Sequence, residues 1–322
     1  MLQKAFVDRV KKELPKGKSL NEVVSRILDI SYDAAHRRTS LKSKFSLEES
    51  ILLARHFSIS IDGLFGSVED QFVSVQKTKQ ITNEDELQSY FENSYQSLVP
   101  LLDMKDGVLY YSAKDIPLFY TLIDDRLSHF KMYVWLKLLD RTYRDKSFEQ
   151  FFPKLSTMQS AKKLGELYYN LPTVEIWDIT TINSTLKQIH FYYKAGQMSA
   201  ATAKELCQLL KDLLNQISRK VISRKHQFQL YYNELLLMNN NVLITTKHQQ
   251  SLFVPYTMLS YYVTSDQRTC KEAKEYFEKQ LKHSKLLNAS GEKEQNSFYN
   301  KMMGKVEALL QLIQAENILD FE

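Results

Sequence analysis

Glycine, proline and cysteine are all scarce in this sequence. The 322 residues include 8 glycines, 6 prolines and 2 cysteines. Because glycine and proline interrupt regular secondary structure, their scarcity favours a mostly helical, tightly packed protein. The two cysteines, Cys207 and Cys270, lack the paired spacing of a metal or redox motif, so neither kind of site is expected at them.

The motifs of common enzyme sites are missing as well. No two glycines are separated by a single residue, which excludes the usual phosphate-cradling loops. HExxH motifs, CxxC motifs and clusters of histidine with carboxylates are also absent. Adjacent acids such as Asp124 and Asp125 point in different directions on a helix, so they do not form a carboxylate pair. We therefore expect a protein that is not an enzyme and that has no metal site and no cofactor.

Signals for membranes and export are lacking too. No apolar run reaches the length of a membrane span. The opening stretch, MLQKAFVDRVKKEL, is amphipathic and charged and lacks the apolar centre of a signal peptide. We therefore expect a cytoplasmic protein with no membrane partner.

The most informative stretch is a run of three short helical segments between residues 19 and 65. A serine followed three residues later by a glutamate, the pattern of a capping box, begins the first segment at Ser19 and the third at Ser46. A break at residues 29–31 separates the first segment from the second, and Ser31 can cap the second. Two short helices joined by a tight turn and followed by a stabilising helix predict a helix-turn-helix.

This stretch resembles the phage-repressor (Xre/Cro-like) class of helix-turn-helix DNA-binding domains. The small residue Ser25 stands where the two core helices cross in that class, and Val24 and Leu28 occupy the apolar positions beside it. Residues 59–65, ISIDGLF, match the hydrophobic turn that closes the domain.

Four positions depart from the pattern of the class. Asp29 stands at the turn position usually held by glycine, although aspartate tolerates a left-handed backbone better than most residues. Thr39 and Leu41 replace the acid and the glycine that commonly end the recognition helix. Arg38 falls where an apolar residue is more usual.

Positive charge is concentrated in the same stretch. Residues 1–65 contain twelve lysines and arginines against eight acids, whereas the remaining chain has 31 and 30. Between Asp33 and Glu48 there are four such cations and no acid. A run of this kind is usually a solvated loop, but beside a recognition helix it is also the expected surface for DNA phosphates.

The resemblance implies double-stranded DNA as a partner and assigns roles by position. Residues of the second helix would face base edges, and polar or basic residues around it would hold phosphates. Arginine suits guanine best because its planar fork matches O6 and N7. The candidates for base contact are Tyr32, Asp33 and Arg37, those for phosphate contact are Asn21, Ser31, Lys42 and Lys44, and His36 and Arg38 complete the DNA-binding set.

The rest of the chain predicts a much larger second domain. We place the helix-turn-helix domain at residues 1–67, a polar linker at 68–82 and a mostly helical C-terminal domain at 83–322. Near residues 228–254 three apolar stretches separated by turn residues predict a small antiparallel β-meander. The predicted fold class is mainly α, with an N-terminal helix-turn-helix bundle plus a large helical C-terminal domain that contains this meander (α+β).

Together these expectations describe a one-component transcriptional regulator. The C-terminal domain would form a homodimer, because one small helix-turn-helix buries too little surface for tight specific binding. The leucine-rich seam at residues 206–221 would serve either the core or the subunit contact. Aromatic segments at 110–135 and 231–262 would line a pocket for a small-molecule or peptide effector. The alternative is a protein-interaction or antitoxin-like module that keeps the fold without regulating DNA.

Overall fold

The chain divides into two compact units, Met1–Val75 and Gln76–Glu322, in a computed structural model. The structure describes residues 2–15, 17–61, 64, 73–104, 106–223, 227–235, 240–247 and 249–318. Part of the predicted linker, residues 68–72, and part of the predicted closing turn, namely residues 62, 63 and 65, lie outside this description. Asn239, a turn residue of the predicted meander, also lies outside this description, whereas the next residue, Asn240, is described.

The N-terminal unit is a small bundle of short helices. Of the two capping boxes that the sequence predicts, the one at Ser46 forms, with both the Ser46 side chain and the Glu49 side chain bonded to backbone amides. The box predicted at Ser19 does not form, because the Ser19 side chain makes no capping hydrogen bond. The helices are α1 (Leu2–Lys12), α2 (Leu20–Leu28), α3 (Tyr32–Thr39) and α4 (Leu47–His56). Their shared core consists of Phe6, Val10, Val24, Ala35, Leu53, Ala54 and Ile59.

The C-terminal unit combines many helices with one sheet. Its helices are α5 (Glu84–Leu98), α6 (Pro100–Asp103), α7 (Leu118–Thr121), α8 (Asp125–Leu139), α9 (Leu155–Tyr169), α10 (Asn183–Lys194), α11 (Ala200–Ser223), α12 (Gln267–Lys282) and α13 (Glu292–Ile318). Its strands are β1 (Gln76–Lys77), β2 (Val108–Ala113), β3 (Thr173–Trp177), β4 (Phe228–Tyr232), β5 (Val242–Thr245), β6 (Gln250–Pro255), β7 (Tyr261–Thr264) and β8 (Lys285–Leu286).

These strands form a single eight-stranded mixed sheet in the order β1-β7-β6-β5-β2-β3-β4-β8. Three consecutive strands of this order, β2, β3 and β4, run parallel, and every other neighbouring pair is antiparallel. The predicted fold class, with only a small antiparallel meander, is therefore wrong. Strands β5 to β7 do pair in antiparallel order, but β4 is separated from β5 by β2 and β3.

The reason for this error is the nature of parallel pairing. Strand β3, TVEIW, is buried at all five positions, so it lacks the alternation of polar and apolar residues that marks a half-exposed strand. Parallel neighbours are also joined by long helical crossovers rather than by tight turns. Helices α7 to α9 lie between β2 and β3 in the chain, and α10 and α11 lie between β3 and β4.

The sheet has a separate core on each face. On one face, Tyr111 of β2, Trp177 of β3 and Phe228 of β4 join the large core formed with the helices. On the other face, Ile176 of β3 packs with Phe277 of α12 in a smaller core. The described part of the unit is therefore layered, with the sheet between a thick helical layer and helix α12.

The leucine-rich seam lies inside this thick layer. Its members in α11 are each at most 5% exposed, which leaves them unavailable for pairing two chains. The aromatic residues Tyr120, Phe130 and Tyr133, which were expected to line a pocket, are likewise packed in the core. Within the described ranges, no helix combines the length and the apolar character that spanning a membrane needs. The seam residues are Leu206, Leu210, Leu213, Ile217 and Val221.

Candidate nucleic-acid interface

The turn between α2 and α3 ends α2 with a left-handed residue. Asp29 has φ 51° and ψ 48°. The amide of Ile30 donates to the carbonyl of Ser25 at 3.0 Å, which closes the last turn of α2. This is the Schellman arrangement, whose left-handed position usually holds glycine because a Cβ atom is disfavoured there. Asp29 therefore adopts the left-handed conformation that glycine usually adopts at this position in the class that this stretch resembles.

Helix α3 presents a polar face to solvent. Ser31 caps the helix, since its Oγ accepts a hydrogen bond from the Ala34 amide at 3.2 Å. Ala35 is completely buried and anchors the opposite face in the bundle. Four of the predicted DNA-binding residues are exposed along this helix: Tyr32, Asp33, His36 and Arg37.

Asn21 joins α2 to this exposed face. Its Nδ2 lies 3.3 Å from the Tyr32 hydroxyl and 3.3 Å from His36 Nδ1. Its Oδ1 accepts a hydrogen bond from Thr39 Oγ1 at 2.6 Å. Asn21 therefore holds three side chains of α3 in place.

Arg38 is directed into the bundle instead. Its Nε donates to Glu49 Oε2 at 2.8 Å, and its NH2 group lies 2.7 Å from Glu49 Oε1. The two side chains are only 22% and 17% exposed. The hydrogen bond from Arg38 holds the pKa of the Glu49 carboxyl below its usual range, with the capping bond from Ser46 adding to the effect. Arg38 thus links α3 to α4 through its ion pair with Glu49. In the class that this stretch resembles, an apolar residue is more usual at this position.

The loop after α3 is fixed by backbone hydrogen bonds. Leu41 has a left-handed φ of 65°, again in the position that commonly holds glycine. The amides of Lys42 and Ser43 donate to the carbonyl of Arg37 at 2.8 and 3.0 Å. Gln3 of α1 donates through Nε2 to the carbonyls of Arg38 and Ser43, which ties the loop to the bundle.

Three cations remain exposed along this edge. Arg37, Lys42 and Lys44 are exposed, and no described carboxylate lies within 4.0 Å of their charged groups. They follow one another along the end of α3 and its ordered loop. Together with the exposed face of α3 they form a surface that we call the α3 face, consisting of Tyr32, Asp33, His36, Arg37, Lys42 and Lys44.

Reasoning from the sequence did not predict that two further residues, Glu49 and Gln3, support this surface. Glu49 was recognised only as the end of a capping box, because its Arg38 partner lies on another helix. Gln3 lies in α1, and nothing in the local sequence indicates that it reaches a loop about forty residues away.

Comparison of the chain with protein-family models, with curated proteins and with solved structures finds no match.

Proposed function

We propose that the N-terminal unit binds double-stranded DNA in a sequence-specific manner and that the chain is a transcriptional regulator in the cytoplasm. The observation that carries this proposal is the α3 face. It places an arginine and two lysines, none of which has a described carboxylate within 4.0 Å, beside the exposed side chains of a short helix that follows a tight turn. Phosphate contacts need such cations, and a helix of this kind fits the major groove.

The contacts of each residue suggest its role in that complex. Arg37 is exposed, and no described carboxylate lies within 4.0 Å of its guanidinium, so it is suited to reading guanine. Tyr32 and Asp33 stand one turn earlier and would contact neighbouring base edges. Lys42 and Lys44 would neutralise phosphates.

The remaining candidates support the surface more than they contribute to it. Arg38 is held by Glu49, and Asn21 is bonded to α3 side chains, so both are suited to fixing the orientation of α3. Ser31 already caps α3 through Oγ. His36 is exposed and shares a hydrogen bond with Asn21, which leaves it a candidate for DNA contact.

The C-terminal unit would pair two chains and hold the regulatory function, including any small-molecule or peptide effector. The buried seam of α11 is excluded as the pairing surface, so the dimer contact would use another surface of this unit. Two copies would bring two α3 faces to two half-sites, as small helix-turn-helix proteins require for specificity.

The test begins with selection of DNA from a random duplex library by the full chain. Affinity for the selected duplex is then measured by fluorescence anisotropy at several salt concentrations. Arg37→Ala should cost about 1–3 kcal/mol and relax the preference at one base position. Lys42→Ala and Lys44→Ala should each weaken binding to all sequences and lower the salt slope by about one unit.

Lys187→Ala is the matched control, because Lys187 is an exposed lysine of the C-terminal unit. It should leave both the affinity and the salt slope unchanged. If the Arg37/Lys42/Lys44 triple alanine variant bound as tightly as the parent, the proposal would be wrong. A parent protein without salt-dependent DNA affinity would favour the alternative of a protein-interaction module.

A further inference from the structure

A cavity of about 400 Å³ opens on the surface of the N-terminal unit, and none of its lining residues belongs to the α3 face. Three parts of the bundle supply its walls: the turn after α1, one face of α2 and the turn after α4. A cavity of this volume is large enough to receive a small ligand or a few side chains of a partner. Its walls include Glu13, Lys18, Val23, Arg26, His56 and Phe57.

Two hydrogen-bonded turns fix the walls of this cavity. In the turn after α1, the Lys18 amide donates to the carbonyl of Pro15 at 3.2 Å. In the turn after α4, Ser58 has a left-handed φ of 51°, and the Ile59 amide donates to the carbonyl of Ala54 at 2.8 Å. That bond is the Schellman closure of α4, so the chain itself engages a carbonyl group at this helix end.

Three basic side chains surround the cavity. Lys18, Arg26 and His56 are exposed, and no described carboxylate lies within 4.0 Å of their side-chain nitrogens. The acid in the wall, Glu13, is bound by Arg9 at 2.8 Å, so its charge is already balanced. The walls therefore have positive charge that the described residues do not neutralise.

Apolar surface lies between these basic groups. Val23 and Phe57 both line the cavity, and both are only partly buried. The ring of His56 packs against the ring of Phe57 at a centroid distance of 4.9 Å and an interplanar angle of 79°. Apolar walls with a few placed charged groups are the usual form of a binding pocket. The chemistry of these walls matches a ligand that combines an apolar group with negative charge.

The cavity lies on the side of α2 away from α3. Asn21 of α2 bonds to side chains of α3. Since an α-helix has 3.6 residues per turn, Val23 and Arg26 project about 200° and about 140° around the axis of α2 from Asn21. A DNA duplex on the α3 face would therefore leave the cavity open.

We propose that this cavity is a docking site for a short acidic segment of a partner protein. One apolar side chain of that segment packs against Val23 and Phe57, and its carboxylates pair with Lys18 and Arg26. Duplex DNA has the same sign of charge, but its phosphate backbone has no apolar side chain to enter the cavity. The site is independent of the α3 face, so the partner binds whether or not that face reads DNA.

The first test measures the binding of fluorescein-labelled nonapeptides to the full chain by fluorescence anisotropy. Three acidic probes have a central phenylalanine, leucine or tryptophan between aspartates and glutamates, and three neutral probes have asparagine and glutamine instead of these acids. The acidic probes should bind and the neutral probes should not. An acidic probe with a central glycine should bind at least about fivefold more weakly, because it lacks the apolar contact.

The result that would overturn the proposal is equally direct. If no acidic probe bound at about 1 mM, the cavity would not be a site for acidic segments. Equal affinity for the glycine and phenylalanine probes would show that charge alone is recognised, contrary to the proposed apolar contact.

The second test locates the binding on the protein. Lys18→Gln and Arg26→Gln should each weaken binding of the phenylalanine probe by about two- to fivefold, the range expected for exposed ion pairs. Lys4→Gln is the matched control, because Lys4 is an exposed lysine in the first turn of α1, outside the cavity. It should leave the affinity unchanged, and circular dichroism should show the same helix content in all three variants.

Titration of the same variants with a random-sequence duplex separates a peptide site from a nucleic-acid site. The expected result is that Lys18→Gln and Arg26→Gln bind the duplex as the parent does. If they weakened duplex binding and left probe binding unchanged, the cavity would belong to a nucleic-acid surface and the proposal would be wrong.

Discussion

The most informative perturbation of the N-terminal unit is at Glu49, because this carboxylate performs two separable tasks. Its Oε2 accepts a hydrogen bond from the Ser46 backbone amide at 2.9 Å in the capping box of α4. It also holds Arg38 of α3 through two short contacts. Glu49→Gln can keep the capping bond while removing the charge, whereas Glu49→Ala removes both.

The expected magnitudes follow from these contacts. Loss of a capping interaction costs about 1 kcal/mol. The two-point ion pair between Arg38 and Glu49, whose side chains are only 22% and 17% exposed, stabilises more than an exposed ion pair does. We take its contribution to the free energy of unfolding as about 1–2 kcal/mol. Glu49→Ala should therefore destabilise the N-terminal unit by roughly 2–3 kcal/mol, and Glu49→Gln by roughly 1–2 kcal/mol.

The effect of pH follows from the direction of the pKa shift. The pKa of Glu49 is lower in the folded unit, mainly because of its bond to Arg38. Its contribution is therefore complete above the ordinary carboxyl pKa of about 4.3 and is lost as pH falls through the lowered value. The difference between the parent and Glu49→Gln should shrink as pH falls below that window.

The assay is hydrogen exchange measured by mass spectrometry on the full chain. Peptides from α3 and α4 should exchange about tenfold faster for each 1.4 kcal/mol lost, whereas peptides from β2 and β3 serve as an internal reference. Glu48→Gln is the control variant, since Glu48 is exposed and has no part in the Arg38 contact. Exchange rates for both Glu49 variants within twofold of the parent would refute this account of the bundle.

Other positions give equally direct tests. Leu41→Gly should leave the N-terminal unit about 1 kcal/mol more stable than Leu41→Ala in the same exchange assay, because only glycine relieves the left-handed φ of 65°; equal stability would be contrary to the observed backbone. Gly165→Ala should destabilise the C-terminal unit by about 1–3 kcal/mol, since a Cβ atom would lie 2.8 Å from the Phe119 carbonyl oxygen. Gly304→Ala, in a helix with open space around it, should be neutral or stabilising, and both are measured by denaturant unfolding followed by the two tryptophans. As pH rises from 7 to 9.5, the parent should gain stability relative to Lys220→Met, because burial gives Lys220 a pKa of about 8 when folded, against about 10.4 when unfolded; a difference between the two proteins that did not change with pH would contradict this.

Local signals in the sequence were sufficient for much of the N-terminal unit. The Ser46 capping box forms as predicted, and the apolar positions Phe6 and Val10 of α1 and Val24 of α2 lie in the bundle core. These features depend on neighbours three or four residues apart, and such neighbours can be read from the sequence directly.

Non-local pairing could not be predicted in the same way. Strand β3 carries no alternation, and β4 finds its partners β3 and β8 rather than the nearer β5. Glu175 and Lys220 are charged residues that composition places on the surface, yet the fold buries both.

The candidate interface shows the same limit. The sequence identified the exposed cations of the α3 face, but it also placed Arg38 in the DNA-binding set. Arg38 is instead bound by Glu49 of α4, a partner that the sequence did not reveal. The partner of a charged side chain across a bundle is a property of the assembled helices.

The pairing of the sheet has a consequence for the order in which the chain folds during synthesis. The helices of the N-terminal unit find their partners within a short stretch, and such local contacts form early and quickly. The sheet closes late, because β2 must wait for β5 and Gln76 of β1 pairs with Val263 of β7. A nascent chain therefore carries a completed N-terminal unit while the apolar strands of the C-terminal unit still lack neighbours, and it is during this interval that the chain depends most on protection from aggregation.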